Sequence, residues 1–249
     1  MPGGALRMLA VATLAVLPLS AEAARPLVTE DTDTLEPGEL EVELSFDTAL
    51  ARKTRLFLVP AGPVLNFGVL PRLEAAVGPS FVILAPDHGP TRAGPGDLGV
   101  RMKYRVIDET PRVPALMGVI AALLPTGDES RGLGLGSADI QLLAAASKML
   151  GPATFTWNGG YTVVTRDRSL DLVNVYGSVD GSVGADWSVA AELVSDIATS
   201  RAGNTRVIVR AGATYQVTQR LQLDAAIGSG LTRASPDVIV TVGLTLMFK

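Results

Sequence analysis

Polar and apolar residues alternate along most of this chain with a period of two. From Glu39 to Phe46 the odd positions are three glutamates and a serine, and the even positions are Leu, Val, Leu and Phe. From Val238 to Phe248 every even position is Val, Leu or Phe. Successive side chains of a β-strand point to opposite faces, so each run predicts a strand with two chemically different faces. The chain is therefore predicted to be all-β.

The same alternation recurs between these two ends, and we predict about twelve strands in all. They cover residues 38–48, 55–69, 72–84, 96–107, 113–124, 137–148, 153–165, 171–182, 186–196, 204–216, 219–229 and 236–248. The second run contains Pro60 and Pro63. Because proline has no N–H to donate to a neighbouring strand, a bulge or a break is expected there.

The predicted connections alternate in length along the chain. The even-numbered ones are mostly tight and include residues 70–72, 151–152, 183–185 and 217–218. The odd-numbered ones are mostly longer and polar and include residues 86–95, 125–136, 166–169 and 197–203. Short turns at one end of a sheet and long loops at the other are typical of outer-membrane barrels.

A secreted β-sandwich would also alternate, so composition has to separate the two folds. Apolar residues make up 47% of the chain, charged residues make up 18%, and the mean hydropathy is +0.33. A barrel needs this apolar excess because its outer face contacts lipid, where only a closed barrel leaves no strand edge unpaired. The predicted fold is a membrane-spanning antiparallel up-and-down β-barrel of about 12 strands.

The N-terminus has the pattern of a secretory signal peptide. Arg7 precedes an apolar run from Met8 to Leu19, and small residues permit cleavage after Ala23 or Ala24. We therefore expect a signal peptide at residues 1–24, a periplasmic N-terminal segment at 25–37 and the barrel at 38–249, in the outer membrane of a Gram-negative cell. The longest later apolar stretch has ten residues, too few for a membrane-spanning helix.

Composition also limits the chemistry. The net charge is −4 and the pI is near 5.1, which argues against nucleic acid as a partner. The chain has no cysteine and a single histidine. We therefore expect no cofactor and no metal ion.

Charged residues on the face opposite the apolar ladders are the candidates for a solute path. Placing Arg or Lys toward lipid at mid-depth would cost about 2–4 kcal/mol, so these side chains are predicted to face the lumen. The candidates are Glu41, Glu43, Arg101, Lys103, Arg105, Glu192, Arg206, Arg210 and Asp224. They either pair with one another and hold the interior together, with Arg206 and Arg210 near Asp224, or form a charged constriction that orients solutes. The two interpretations are compatible.

The expected width of the barrel favours a narrow path over a wide porin, because eight strands enclose a filled interior and sixteen an aqueous channel. The residues between the signal peptide and the first strand are too few for a plug domain. This segment could enter the lumen as a short stopper or lie at the periplasmic mouth.

Several stretches resemble a known family. The chain is similar to the bacterial outer-membrane transporter family named for the meta-pathway of phenol degradation. The matching stretches are residues 25–31, 38–43, 96–104, 124–128, 134–139, 158–161 and 223–232. The resemblance implies an outer-membrane barrel that passes small, often hydrophobic molecules. It also implies that the barrel-assembly machinery reads Phe248 as the terminal aromatic residue, although Lys249 follows it.

Three functions follow from these observations. The first is a narrow passive channel for small solutes, hydrophobic or aromatic ones included, with outer-membrane lipid, solute and assembly machinery as partners. The second is an outer-membrane lipid hydrolase that uses His88 beside Asp87, although Gly89 and Pro90 suggest a loop tip and no Gly-x-Ser-x-Gly motif is present. The third is a closed structural or adhesive barrel. We expect the channel, with no catalytic residues.

Overall fold

The computed structural model of the chain describes residues 26–51, 54–59 and 63–249. They form a closed antiparallel β-barrel, because the last strand segment pairs with the first. The strand segments are β1 (Leu40–Ala51), β2 (Thr54–Val59), β3 (Val64–Leu70), β4 (Leu73–Gly78), β5 (Phe81–Pro86), β6 (Arg92–Pro95), β7 (Leu98–Ile107), β8 (Ala115–Leu124), β9 (Asp139–Leu150), β10 (Ala153–Val164), β11 (Leu172–Ser182), β12 (Trp187–Ala198), β13 (Arg206–Thr218), β14 (Leu221–Gly230) and β15 (Val238–Phe248). Single 3-10 turns lie at Glu129–Arg131 and Arg168–Leu170.

These segments make twelve barrel strands, which confirms the predicted fold. Three of the strands are interrupted, so that β2 with β3, β4 with β5, and β6 with β7 each complete one strand. Residues 40–43 of β1 pair with β3, and residues 47–51 pair with β2. Closure runs from Leu40 opposite Phe248 to Leu50 opposite Val238.

Two of the interruptions were not expected from the alternation. The third predicted strand is divided between β4 and β5, where the sequence is Pro79-Ser80. The fourth begins earlier than predicted, as β6, and breaks at Gly96-Asp97. Proline cannot donate to the ladder, which accounts for the first break. The backbone N–H of Gly96 bonds the carbonyl of Ser80 at 2.9 Å and holds the two breaks side by side.

The connections have the expected asymmetry, with two exceptions. Tight turns join β3 to β4, β9 to β10, β11 to β12 and β13 to β14, and we call this the periplasmic end. Residues 108–114 form a longer connection at the same end. Longer loops lie at the outer end, over residues 125–138, 165–171, 199–205 and 231–237, although β1 and β2 are only two residues apart there.

The outer surface is apolar and the interior is mixed. Large hydrophobic side chains such as Val209, Ile227 and Val240 are exposed to the surroundings of the barrel. Their strand neighbours Ile208 and Ile239 are buried inside, each 2% exposed. The alternation thus separates a lipid face from a lumen face on the strands whose side chains the structure describes.

The predicted signal peptide lies outside the described residues. Within the part of the chain that the structure describes, no helix is long and apolar enough to cross a membrane.

The N-terminal segment was expected either to enter the lumen as a short stopper or to lie at the periplasmic mouth. Residues 26–35, which we call the N-terminal plug, lie in the barrel lumen. Leu27, Val28, Thr29 and Glu30 are each at most 5% exposed. The lumen can hold this strandless segment because wall side chains satisfy its backbone polar groups, as described next.

Candidate functional site

The plug is held first by a carboxylate on β12. Glu192, whose side chain is fully buried, accepts hydrogen bonds from Val28 N and Thr29 N, each 2.9 Å from Oε2, and from Thr29 Oγ1 at 2.8 Å. On the neighbouring strand, Arg210 places Nε 3.4 Å from Glu192 Oε1 and donates from Nη1 to the carbonyl of Pro26 at 3.2 Å. One ion pair of the wall therefore binds the first residues of the plug by their backbone.

Two further wall residues bind the plug backbone. Asn158 of β10 accepts from Glu30 N at 2.7 Å and donates to the carbonyl of Glu30 at 2.8 Å. This paired contact mimics the exchange between adjacent strands. Further along, Leu35 N donates to Glu74 Oε2 of β4 at 3.0 Å. The plug thus crosses the lumen from β13 and β12, past β10, to β4.

Three cations on β7 face the plug. Arg101, Lys103 and Arg105 are two residues apart, so all three point to the same face of the strand. We call them the cationic ladder. The plug supplies one carboxylate to each, with Glu30 2.8 Å from Arg101, Asp31 3.4 Å from Lys103 and Asp33 3.4 Å from Arg105. Side-chain exposure rises along the ladder, from 1% at Arg101 through 7% to 23% at Arg105.

The wall itself partly neutralises the ladder. Glu74 Oε1 lies 3.5 Å from Arg101 and 3.4 Å from Lys103. Arg101 also donates to Asn66 Oδ1 of β3 at 2.9 Å. Burial raises the pKa of the Glu30 carboxyl above its ordinary value of 4.5, while the charge of Arg101 acts in the opposite direction. The plug carboxylates therefore add negative charge to an enclosed and already charged site.

The remaining predicted lumen residues lie on the inner face of their strands. Glu43 and Asp224 are buried, and Glu41 is half-buried and accepts a hydrogen bond from Asn66. Arg206 pairs with Asp196 at 2.9 Å. The strand register sets Asp224 opposite Thr214 and not directly opposite either arginine.

Phe248 has a different environment, since it is the last residue of β15, lies opposite Leu40 and is exposed on the outer surface. Lys249 follows it and lies 3.3 Å from Glu39.

A second polar cluster, which charge patterning alone did not reveal, lines the wall toward the outer end. Tyr176 OH donates to Asp196 Oδ1 at 2.9 Å and accepts from Gln141 at 3.2 Å. Asn174 donates to the same Asp196 oxygen at 2.8 Å and accepts from Thr162 at 2.8 Å. The sequence could have indicated this cluster only through uncharged polar residues, because Gln, Thr and Asn occupy inward positions of β9, β10 and β11.

The loop at residues 125–138 is tied to the wall at the outer end. Buried Asp97 accepts from Gly127 N at 2.9 Å and from Leu135 N at 2.7 Å. Between these anchors Leu133 is 2% exposed. It belongs to one apolar cluster with Val28 of the plug and with wall residues Ala49, Val82, Leu84, Met117, Val119, Leu143, Ala145, Tyr176, Val194, Ile208 and Ile239. An apolar interior therefore connects the outer loop with the plug.

A cavity of about 460 Å³ lies on the periplasmic side of the plug. Its charged lining is mostly acidic and consists of Asp31, Asp33, Glu41, Glu43, Glu74, Asp180, Lys103 and Arg220. The lumen thus has an outer part where the apolar cluster lies beside the polar cluster around Asp196, a charged constriction at the plug and a vestibule of about 460 Å³ below it.

The family model described as "Putative MetA-pathway of phenol degradation" matches residues 23–248. The chain belongs to this family. No curated protein sequence matches it. Membership confirms the resemblance seen in the sequence.

Solved structures place this family member among outer-membrane barrels. The COG4313 outer membrane channel from Pseudomonas putida F1 is similar with a TM-score of 0.65 at 15% identity, over 88% of this chain and 98% of that one. The NanC porin gives 0.55 at 10% identity, over 84% and 99%. The translocator domain of the autotransporter NalP from Neisseria meningitidis gives 0.54 at 12% identity, over 87% and 91%. At these identities the likeness establishes the fold, which is that of outer-membrane β-barrels.

The residue considered for hydrolysis lies apart from this interior. His88 and Asp87 are exposed in the loop between β5 and β6, and Gly89 there has a φ of 115°. The family member thus has its histidine at a loop tip, away from the buried charges of the lumen.

Proposed function

We propose that this protein is a narrow passive channel that admits small hydrophobic or aromatic solutes across the outer membrane, and that it is not an enzyme. One observation carries the proposal. The lumen is partly filled by elements that barrel closure does not require, namely the N-terminal plug and Leu133 of an outer loop. A barrel whose obstruction is separate from its wall can open without losing strand pairing.

The kind of solute follows from the lining. A solute that passes Leu133 meets the apolar cluster, with the polar cluster around Asp196 beside it, before the charged constriction. Burial of an apolar body there is favourable by about 25 cal/mol per Å². The family's description refers to phenol degradation, and one similar structure is named an outer membrane channel, which supports the same proposal. The nine lumen candidates then act as the lining, with Arg101, Glu192 and Arg210 at the constriction.

Two smaller proposals accompany this one. Residues 1–24 are a signal peptide that directs export and is then removed. Phe248 serves as the terminal aromatic that the barrel-assembly machinery reads, with lipid around the barrel.

The filled lumen also favours one other function, a closed structural barrel, and solute flux separates the two. The mature protein is refolded into liposomes, with heat-modifiable gel mobility as the folding control, and the influx of small solutes is measured by swelling. We expect slow influx in the wild type and faster influx in Glu192→Gln, which loosens the plug. Arg101→Ala and Glu43→Ala should alter the influx as lining residues. A folded wild type and a folded Glu192→Gln that both exclude every solute would establish the structural barrel instead.

A further inference from the structure

The wall of the lumen already binds carboxylates in a defined way. Glu30, Asp31 and Asp33 belong to the plug, whereas Arg101, Lys103 and Arg105 belong to the wall. The three contacts follow the spacing of the strand, so the cationic ladder is a track on which each cation binds one carboxylate of the plug. A segment outside the barrel wall supplies all three.

Movement of the plug would take three carboxylates away from the ladder. Glu74, which serves both Arg101 and Lys103, and Asp108, which lies 3.4 Å from Arg105, stay with the wall, where Glu43 also acts on the charge of Arg101. The three plug carboxylates would leave together. Cations in an enclosed site of low polarity are costly without nearby opposite charge. An open channel therefore attracts an anion to β7.

The facing walls give this attraction a direction. Glu41 and Glu43 of β1 and Asp180 of β11 line the same vestibule as Lys103. A solute with one negative group is drawn to β7 and repelled from these carboxylates. Its uncharged part then contacts the apolar cluster on the outer side of the plug. The lining therefore suits a small molecule with a carboxylate at one end and an apolar body at the other.

We infer that the cationic ladder is the binding track for the carboxylate of a transported solute, and that the plug occupies this track in the closed channel with carboxylates of its own. The inference rests on the proposed channel function and adds a substrate class to it, namely small aromatic or aliphatic carboxylic acids. A carboxylate solute competes with the plug for the same cations and so favours the open state.

The competition requires a high solute concentration. The plug carboxylates are tethered next to their partners, and short tethers give effective concentrations in the millimolar range or above. Opening should therefore need about 10–100 mM of a simple carboxylate. Benzoate is a suitable probe, benzamide is its uncharged isostere, and benzylammonium carries the opposite charge on the same ring.

The test measures the mean conductance of the full mature protein in planar bilayers at neutral pH, with each probe at equal concentration and a protein-free bilayer as the reference. We expect benzoate to raise the conductance about tenfold, because a site of opposite charge raises the local concentration of a charged ligand by about that factor or more. The other two probes should change the conductance little. Equal conductance with all three probes would overturn the inference and leave the channel function intact. No conductance with any probe, in Glu192→Gln as well, would overturn the proposed function itself.

Two variants separate the ladder from general effects. Lys103→Gln removes the middle rung and should abolish most of the benzoate response, even if its basal conductance rises through a looser plug. Arg201→Gln, in the exposed outer loop between β12 and β13, removes the same type of charge elsewhere and should keep the full response. A benzoate response that persists in the double variant Lys103→Gln/Arg105→Gln would contradict the proposal that the cationic ladder binds the carboxylate. Heat-modifiable mobility again shows that each variant is folded.

Discussion

Glu192 and Thr29 are 163 residues apart in the sequence and are joined by two hydrogen bonds, from Thr29 N at 2.9 Å and from Thr29 Oγ1 at 2.8 Å, both to Oε2. The contact lies inside a barrel whose wall is complete without it. Glu192 therefore holds the plug in place, and its own charge is matched by Arg210 at 3.4 Å.

Glu192→Gln should loosen the plug. The variant keeps the shape of the side chain but loses the charge-assisted bonds, worth about 1.5–3 kcal/mol, and leaves Arg210 without its carboxylate partner on β12. Because the chain has no cysteine, Leu27→Cys provides a single thiol in the buried plug. We expect maleimide labelling of that thiol to be about tenfold faster in Glu192→Gln. Asp167→Asn, in the exposed loop after β10, is the matched control and should label at the original rate. Unchanged labelling in folded Glu192→Gln would contradict the anchoring role.

Neutralising the plug carboxylates one at a time should have graded effects, because their burial is graded. Glu30 is 4% exposed in its ion pair, Asp31 is 28% exposed and Asp33 is 89% exposed. Buried pairs contribute more than exposed ones, which contribute about 0–1 kcal/mol. Labelling of Leu27→Cys should therefore accelerate most with Glu30→Gln, less with Asp31→Asn and least with Asp33→Asn. A larger effect of Asp33→Asn than of Glu30→Gln would show that burial does not set the order.

The outer loop should depend on Asp97 for its place in the lumen. Asp97→Ala removes the acceptor for Gly127 N and Leu135 N, and each buried donor left unsatisfied costs about 1–3 kcal/mol. Leu133 should then leave the apolar cluster. Trypsin added to the outer face of cells should cleave after Arg131 faster in Asp97→Ala than in the wild type. Asp87→Asn, in the neighbouring loop after β5, is the control. Equal cleavage rates in all three proteins would show that Asp97 does not hold the outer loop in place.

The two faces of β14 should respond differently to the same substitution. Ile227 is 61% exposed on the outer face, and an arginine there would cost about 2–4 kcal/mol at mid-depth in lipid. Gln222 lines the vestibule, where an arginine remains hydrated. In urea titrations of the protein in lipid vesicles, Ile227→Arg should unfold at lower denaturant concentration and Gln222→Arg should stay close to the wild type. The opposite order would invert the assignment of faces.

The barrel could be predicted because its strands are regular. A period of two fixes which side chains share a face, so Arg101, Lys103 and Arg105 could be assigned to one wall before any contact was known. The breaks were harder, because Pro79 interrupts an otherwise continuous run and only the pairing of β5 with β2 shows that the strand resumes.

The contents of the lumen could not be predicted in the same way. Residues 26–35 have no period, and their partners lie on β12, β10, β7 and β4. Nothing local in Val28 or Thr29 indicates that a carboxylate 164 or 163 residues away will bind their backbone. The insertion of Leu133 is equally non-local, since it depends on Asp97 at a break in the wall. The acidic side chains at 30, 31 and 33 become informative only when they are set beside the cations of β7.

The link between the plug and β1 has a kinetic consequence. Gly38, with a φ of 87°, forms the turn that precedes β1, and its N–H bonds the carbonyl of Gly68 at 2.9 Å. This turn fixes one end of the plug to the rim of the barrel. Ten residues reach at most about 35 Å when extended, so a released plug stays close to the opening it left. Re-closure is then a first-order process whose rate does not depend on protein concentration, and each molecule resets itself.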